Sequence, residues 1–155
     1  VQSLAAEASL PLLLYNLPQF TSGYEPEAVM ALSSTAHGIK DSSGSLILLR
    51  SLRETKPSFF RILGHDGALV EAVAEGLLDG VISGVAGVAP ELTVAVWRGN
   101  PVANELLAEL LQKLEGVPTP WGLKWIAETR GWFPARHALP LSAARMAQKA
   151  EFQAW

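Results

Sequence analysis

The sequence predicts an α/β fold built on parallel strands, and three observations predict it. Short apolar runs bounded by glycine, proline or polar residues recur at 10–16, 37–42, 59–65 and 80–84. Each is apolar on both faces, as parallel strands between two packed layers are. Helix-type patterns separate the runs, whose starts fall about 20 to 27 residues apart, the spacing expected of repeated βα units.

The first run, LPLLLYN, ends on Tyr15 and Asn16. In the following EPEAVMALSS, Pro26 takes a first-turn position, where a missing N–H leaves no helical bond unmade. HGIKDS is the second strand, and SLILLRSLRE places leucines at helical spacing behind Ser45. FFRILGH is the third, followed by a helix over DGALVEAVAEG with Gly76 as its stop. GVISG is the fourth. Beyond Pro90 only helices are expected: PELTVAVWR, PVANELLAELLQKLE behind the N-cap Asn100, WGLKWIAETRG and LSAARMAQKAEFQAW. Four βα units over 1–98 and a helical extension over 99–155 therefore make up the chain. An open doubly wound sheet could use such units, yet no glycine fingerprint opens the first strand. A (β/α)8 barrel takes about 250 residues, so 155 residues amount to half of one.

Composition narrows the function. With 49% hydrophobic and 17% charged residues a substantial core is available, and the net charge of −3 offers no basic face for nucleic acid. The apolar runs are far shorter than the roughly 18 residues of a membrane span, so no membrane role is expected. The absence of cysteine removes disulfides and thiolate nucleophiles and suits a cytoplasmic location.

The chemistry-bearing residues lie in the first two strands. Alternation sets Gly38, Lys40 and Ser42 on one face of the second strand, with His37, Ile39 and Asp41 on the other. It likewise pairs Leu13 with Tyr15 in the first strand. Adjacent parallel strands would bring Lys40 and Tyr15 together at the C-terminal mouth, where barrel enzymes place their sites. An apolar enclosure disfavours the ammonium form of a lysine, freeing its amine to condense with a ketone, and a nearby phenol can relay the protons. Alternatively, Lys40 snorkels outward and Tyr15 is a core aromatic.

LYNLP with Thr21 close behind, GIKDSSG, LGHD, DGVISGVAGVAP and the later LK and LPLS, in this order, resemble the second half of the dihydrodipicolinate synthase and N-acetylneuraminate lyase family, the class I pyruvate-dependent aldolases. The resemblance implies strands 5 to 8 of a (β/α)8 barrel plus C-terminal helices. It makes Lys40 the imine-forming lysine and Tyr15 the proton-shuttling tyrosine, with the backbone carbonyl of Ile82 facing pyruvate. Ser42, Asp66, Ile82 and Gly84 then line the pocket. The partner implied is a small keto acid, no metal or organic cofactor is expected, and a homo-oligomer is.

Departures from the family refine this. Where the synthases carry an arginine two residues after the YNxP proline, this chain has Phe20, which cannot make a bidentate pair with a semialdehyde carboxylate. Gly67 stands where sialic acid lyases place a sugar-binding glutamate, and Gly87 replaces a small asparagine. By elimination, 2-keto-3-deoxy sugar acid aldolases and hydratase-aldolases remain. The family's first four strands, with the Thr-Thr or Ser-Thr loop that holds the pyruvate carboxylate, have no counterpart here. A full subunit would need about 130 to 140 further residues. A fragment of a longer protein or a two-copy pseudo-barrel would satisfy this, and the rival to an enzyme is a non-catalytic βα domain with an assembly role.

Other motifs carry less. GVISGVAGVAP lacks the G-K-[ST] ending of a P-loop, and its serine sits one place late for a nucleophile elbow. His37, His65 and His137 are too dispersed for a zinc site. Trp121, Trp125 and Trp132 are expected to pack on the barrel or on a neighbouring subunit.

Overall fold

A computed structural model describes residues 1–53 and 58–155. In chain order the elements are α1 (Gln2–Glu7), β1 (Leu13–Asn16), α2 (Pro26–Leu32), β2 (Gly38–Asp41), α3 (Ile47–Ser51), β3 (Phe60–Leu63), α4 (Leu69–Ala74), β4 (Gly80–Val81), α5 (Pro90–Trp97), α6 (Pro101–Leu114), α7 (Trp121–Thr129) and α8 (Ala143–Ala154). Two 3-10 turns, Asp66–Ala68 and Val85–Gly87, precede α4 and α5. The four expected strands and seven expected helices are all present. α1 was not legible, because no capping residue or proline marks it. β4 is shorter than the expected 80–84: after one further ladder bond, from the Ile82 N–H to the Leu63 carbonyl at 2.9 Å, the chain turns away. Glu54, at the expected end of the second strand-following helix, lies outside the described residues.

The sheet is parallel throughout, in the order β1-β2-β3-β4, with Tyr15 opposite Lys40 and Lys40 opposite Ile62. A doubly wound sheet reverses its strand order to place helices on both faces. Here sheet order follows chain order, so crossovers of one hand deposit their helices on one side. Burial agrees. Leu14, Asn16, Ile39, Asp41 and Leu63 face the helices and are at most 4% exposed, whereas Leu13, Tyr15, Phe60 and Ile82 on the opposite face are 45–53% exposed. The sheet is a barrel wall with its outside covered and its inside bare.

Two apolar clusters hold the covered side. One joins β1 and β2 to α2 and α3 through Leu14, Val29, Ile39, Leu48, Leu52 and Phe59. The larger runs from Leu49, Leu63 and Leu69 through Val96 to Leu107, Trp125 and Phe152, so one core crosses residue 98 without a break. Asn100 caps α6 by accepting from the N–H groups of Val102 and Ala103 at 3.0 and 3.2 Å, the position its sequence context predicts. Trp125 is fully buried and meets Phe152 edge-on at 5.8 Å, as expected of a packing tryptophan, while Trp132 is exposed under the Arg130 guanidinium.

Candidate active site

Parallel pairing places Tyr15 and Lys40 side by side at the C-terminal ends of β1 and β2, on the bare face. Lys40 Nζ lies 3.2 Å from the Tyr15 hydroxyl and 4.3 Å from the ring centroid, so the amine touches both the edge and the face of the phenol. The Ser42 hydroxyl first, and Lys40 second, hold the Tyr15 phenol below its ordinary range. A phenol so placed gives up its proton more readily than an isolated tyrosine. Ser42 Oγ is itself buried and makes no well-formed hydrogen bond of its own. The apolar enclosure expected around Lys40 is not supplied by the described residues: Tyr15 is about half exposed because the face that carries it is open.

Gly64, which sequence reasoning missed, lies against Lys40 and Ser42. A Cβ at this position would stand 2.1 Å from Ser42 Oγ and 2.7 Å from Lys40 Cε. Only a hydrogen side chain leaves room for both groups to lie across the end of β3. Gly38, two residues before Lys40, serves a different purpose: its place is closed by Phe60 and Leu13, whose atoms a Cβ would meet at 2.4 to 3.0 Å. The glycine that makes room for Lys40 is thus on the neighbouring strand.

The remaining expected residues divide. Ile82 lies at the end of β4 on the same bare face, exposed. Asp66 and Gly84 line a separate groove of about 580 Å³, between the loops after β3 and β4 and the connection from α6 to α7, which Lys40 and Tyr15 do not line. Gly64 belongs to that groove and also touches Lys40, so it is the link between them. Asp66 Oδ2 accepts from the Val85 N–H at 3.4 Å, and its Oδ1 is buried without a partner. At the groove's far wall Leu123 approaches Gly84, where a Cβ would meet it at 2.8 Å.

The histidines are accounted for individually. His37 Nδ1 accepts from the Leu12 N–H, and His65 packs over Gly44, whose φ of +82° suits glycine. His137 Nε2 accepts from the Trp125 indole at 3.3 Å. Among the described residues, no helix is long and apolar enough to cross a membrane.

A singly wound wall of four βα units with an amine and a phenol in contact at its C-terminal edge defines half of a (β/α)8 barrel of the lysine-at-the-mouth kind. A family model described as the dihydrodipicolinate synthetase family matches residues 1–155, and the chain belongs to that family. It is 35% identical over 151 residues to the 4-hydroxy-tetrahydrodipicolinate synthase of Dichelobacter nodosus, covering 89% of this chain and 51% of the relative. It is 34% identical over 134 residues to a probable 2-dehydro-3-deoxy-D-pentonate aldolase of Escherichia coli, covering 79% and 44%. Among solved structures, a variant of the Sulfolobus solfataricus 2-keto-3-deoxygluconate aldolase superposes with a TM-score of 0.81 at 18% identity, covering 97% of this chain and 55% of the other. The dihydrodipicolinate synthase of Bacteroides thetaiotaomicron gives 0.75 at 22% identity, with coverage of 98% and 57%. The chain spans about half the length of the curated relatives it matches.

Proposed function

We propose that this chain carries the reacting half of a class I aldolase or lyase that works on pyruvate through an imine on Lys40. The observation that carries the reading is the 3.2 Å contact between Lys40 Nζ and the Tyr15 hydroxyl at the mouth of adjacent strands. The free amine of Lys40 adds to the keto carbon of pyruvate, and the carbinolamine loses its hydroxyl as water to leave a protonated imine. Loss of a methyl proton gives an enamine, whose carbon attacks an aldehyde while the aldehyde oxygen gains a proton. Water then releases the product. Cleavage of a 2-keto-3-deoxy acid runs the same steps in reverse. Tyr15 moves the protons at the carbinolamine and at the alcohol, a task its lowered pKa suits.

Phe20 favours a 2-keto-3-deoxy sugar acid over a semialdehyde substrate, since the loop after β1 has no guanidinium there for a second carboxylate. The named pentonate aldolase supports this branch, and the named synthases support the condensing one. Ser42 and Ile82 extend the substrate surface beside the pair, Asp66 and Gly84 border the adjoining groove that Gly64 joins to it, and a half-barrel partner closes the open face. The activity is therefore that of an assembled barrel, most simply in a homo-oligomer, in the cytoplasm.

Borohydride reduction in the presence of pyruvate tests the reading. With the first four βα units of a relative supplied, the peptide containing Lys40 should gain a lactyl-derived mass, and Lys40→Ala should abolish it. Persistent labelling in that variant would overturn the assignment. A non-catalytic assembly role is the second reading, favoured by the bare face itself. In that case the chain pairs with another half yet takes no label.

A further inference from the structure

Behind the reacting pair, on the covered face of the same two strands, lies a second polar pair that the chemistry above does not use. Asn16 follows Tyr15, Asp41 follows Lys40, and the two are register partners. Both are almost fully buried. Asn16 Nδ2 donates to Asp41 Oδ1 at 2.9 Å, Asn16 Oδ1 accepts from the Tyr24 N–H at 3.0 Å, and Asp41 Oδ1 accepts from the Ser43 N–H at 3.0 Å. Each side chain therefore holds its own strand end, the loop that follows, and its partner. Gln19 adds a third tie, donating from Nε2 to the Ser42 carbonyl at 2.8 Å.

Stability alone does not account for this pair. Asp41 Oδ2 is buried with no hydrogen-bond partner, a cost to folding that two apolar residues of similar shape would not carry. What the pair supplies is geometry, because buried bonds between two strands forbid sliding or splaying of their last residues.

We propose that Asn16 and Asp41 are positioning residues, whose buried hydrogen bond sets the approach of the Tyr15 hydroxyl to Lys40 Nζ on the opposite face. The proposal rests on the aldolase reading for its catalytic consequence, but the test needs neither pyruvate nor a partner half. The chain has two tyrosines, so in a Tyr24→Phe background an ultraviolet titration follows Tyr15 alone. The parent should titrate below the usual phenol value of about 10. Asn16→Leu, which removes both bonds, should move the midpoint up toward that value. Asn16→Asp, which sets two carboxylates face to face, should do the same, and Asn16→Asp combined with Asp41→Asn, which exchanges donor and acceptor, should bring it back down.

A merely structural pair would change the unfolding midpoint and leave the titration of the folded protein where it was. An unchanged Tyr15 midpoint in folded Asn16→Leu, judged by circular dichroism, overturns the proposal. If that variant does not fold, the exchange decides: failure of the double variant to restore the depressed midpoint overturns it equally. Failure of pyruvate labelling with a successful exchange would instead remove the aldolase reading and leave the clamp standing.

Discussion

The two faces of the sheet differ in everything but their backbone. On one, Leu14, Ile39 and Leu63 disappear under α2 to α8, and Asn16 donates to Asp41 out of reach of water. On the other, Leu13, Tyr15, Phe60 and Ile82 stand half in solvent beside Lys40. Because strand side chains alternate with a period of two, neighbours in the chain belong to opposite regimes. Tyr15 and Asn16 are consecutive residues, yet one stands half in solvent and the other is buried. The covered face ties the ends of β1 and β2 together through the bond from Asn16 to Asp41, and the bare face carries Tyr15 and Lys40 at those same ends.

The largest contrast should be in stability. Ile39→Ala, a truncation at a fully buried site, should cost about 2 to 5 kcal/mol in denaturant unfolding, whereas Leu13→Ala on the bare face of the neighbouring strand should stay within about 0.5 kcal/mol. Adding the complementary half should make Leu13→Ala expensive as well. Equal costs in the isolated chain would break the distinction between the faces.

The next effect is on reactivity. Gly64→Ala puts a methyl group where Lys40 Cε and Ser42 Oγ lie. A displacement of the amine by about 1 Å should slow trapping of the pyruvate imine in the completed barrel by about 100-fold. Trapping at the parental rate would mean that Lys40 does not need the position it occupies here.

The smallest effect sharpens the covered side. Glu128, on α7, is held well below the usual carboxylate range, at about 2, by Lys149 of α8 first and by the Ala135 N–H second. Its folded value lies below the ordinary unfolded one of about 4.3. The stabilisation is thus complete above that ordinary value and is lost as pH falls toward about 2. Tryptophan fluorescence from Trp125, packed between α7 and α8, should report loosening over that interval, and Lys149→Met should remove most of the pH dependence. The bare face should show no matching transition.

What was legible in the sequence follows the same division. Strand alternation alone put Lys40, Gly38 and Ser42 on one face and Asp41 on the other, and the punctuation by Pro26, Gly76, Pro90 and Asn100 located the helices. Gly64 and the bond between Asn16 and Asp41 were not legible, because each depends on the register between two strands. A glycine at the end of FFRILGH reads as a strand terminator until β2 is laid against β3. The openness around Tyr15 has another origin. Apolar side chains such as Leu13 and Phe60 read as buried, and their exposure reflects how much of the barrel wall this chain builds.

The uninterrupted strand order has one more consequence. β1 and β4 are the two margins of the sheet, and each ends it with peptide groups that no strand among the described residues engages. Those margins flank an apolar surface, so each offers a further strand a template to pair on. The chain's state in solution should follow dilution: scarce and alone it exchanges amide hydrogens quickly along β1 and β4, and when abundant it protects them by recruiting whatever strand will zip on.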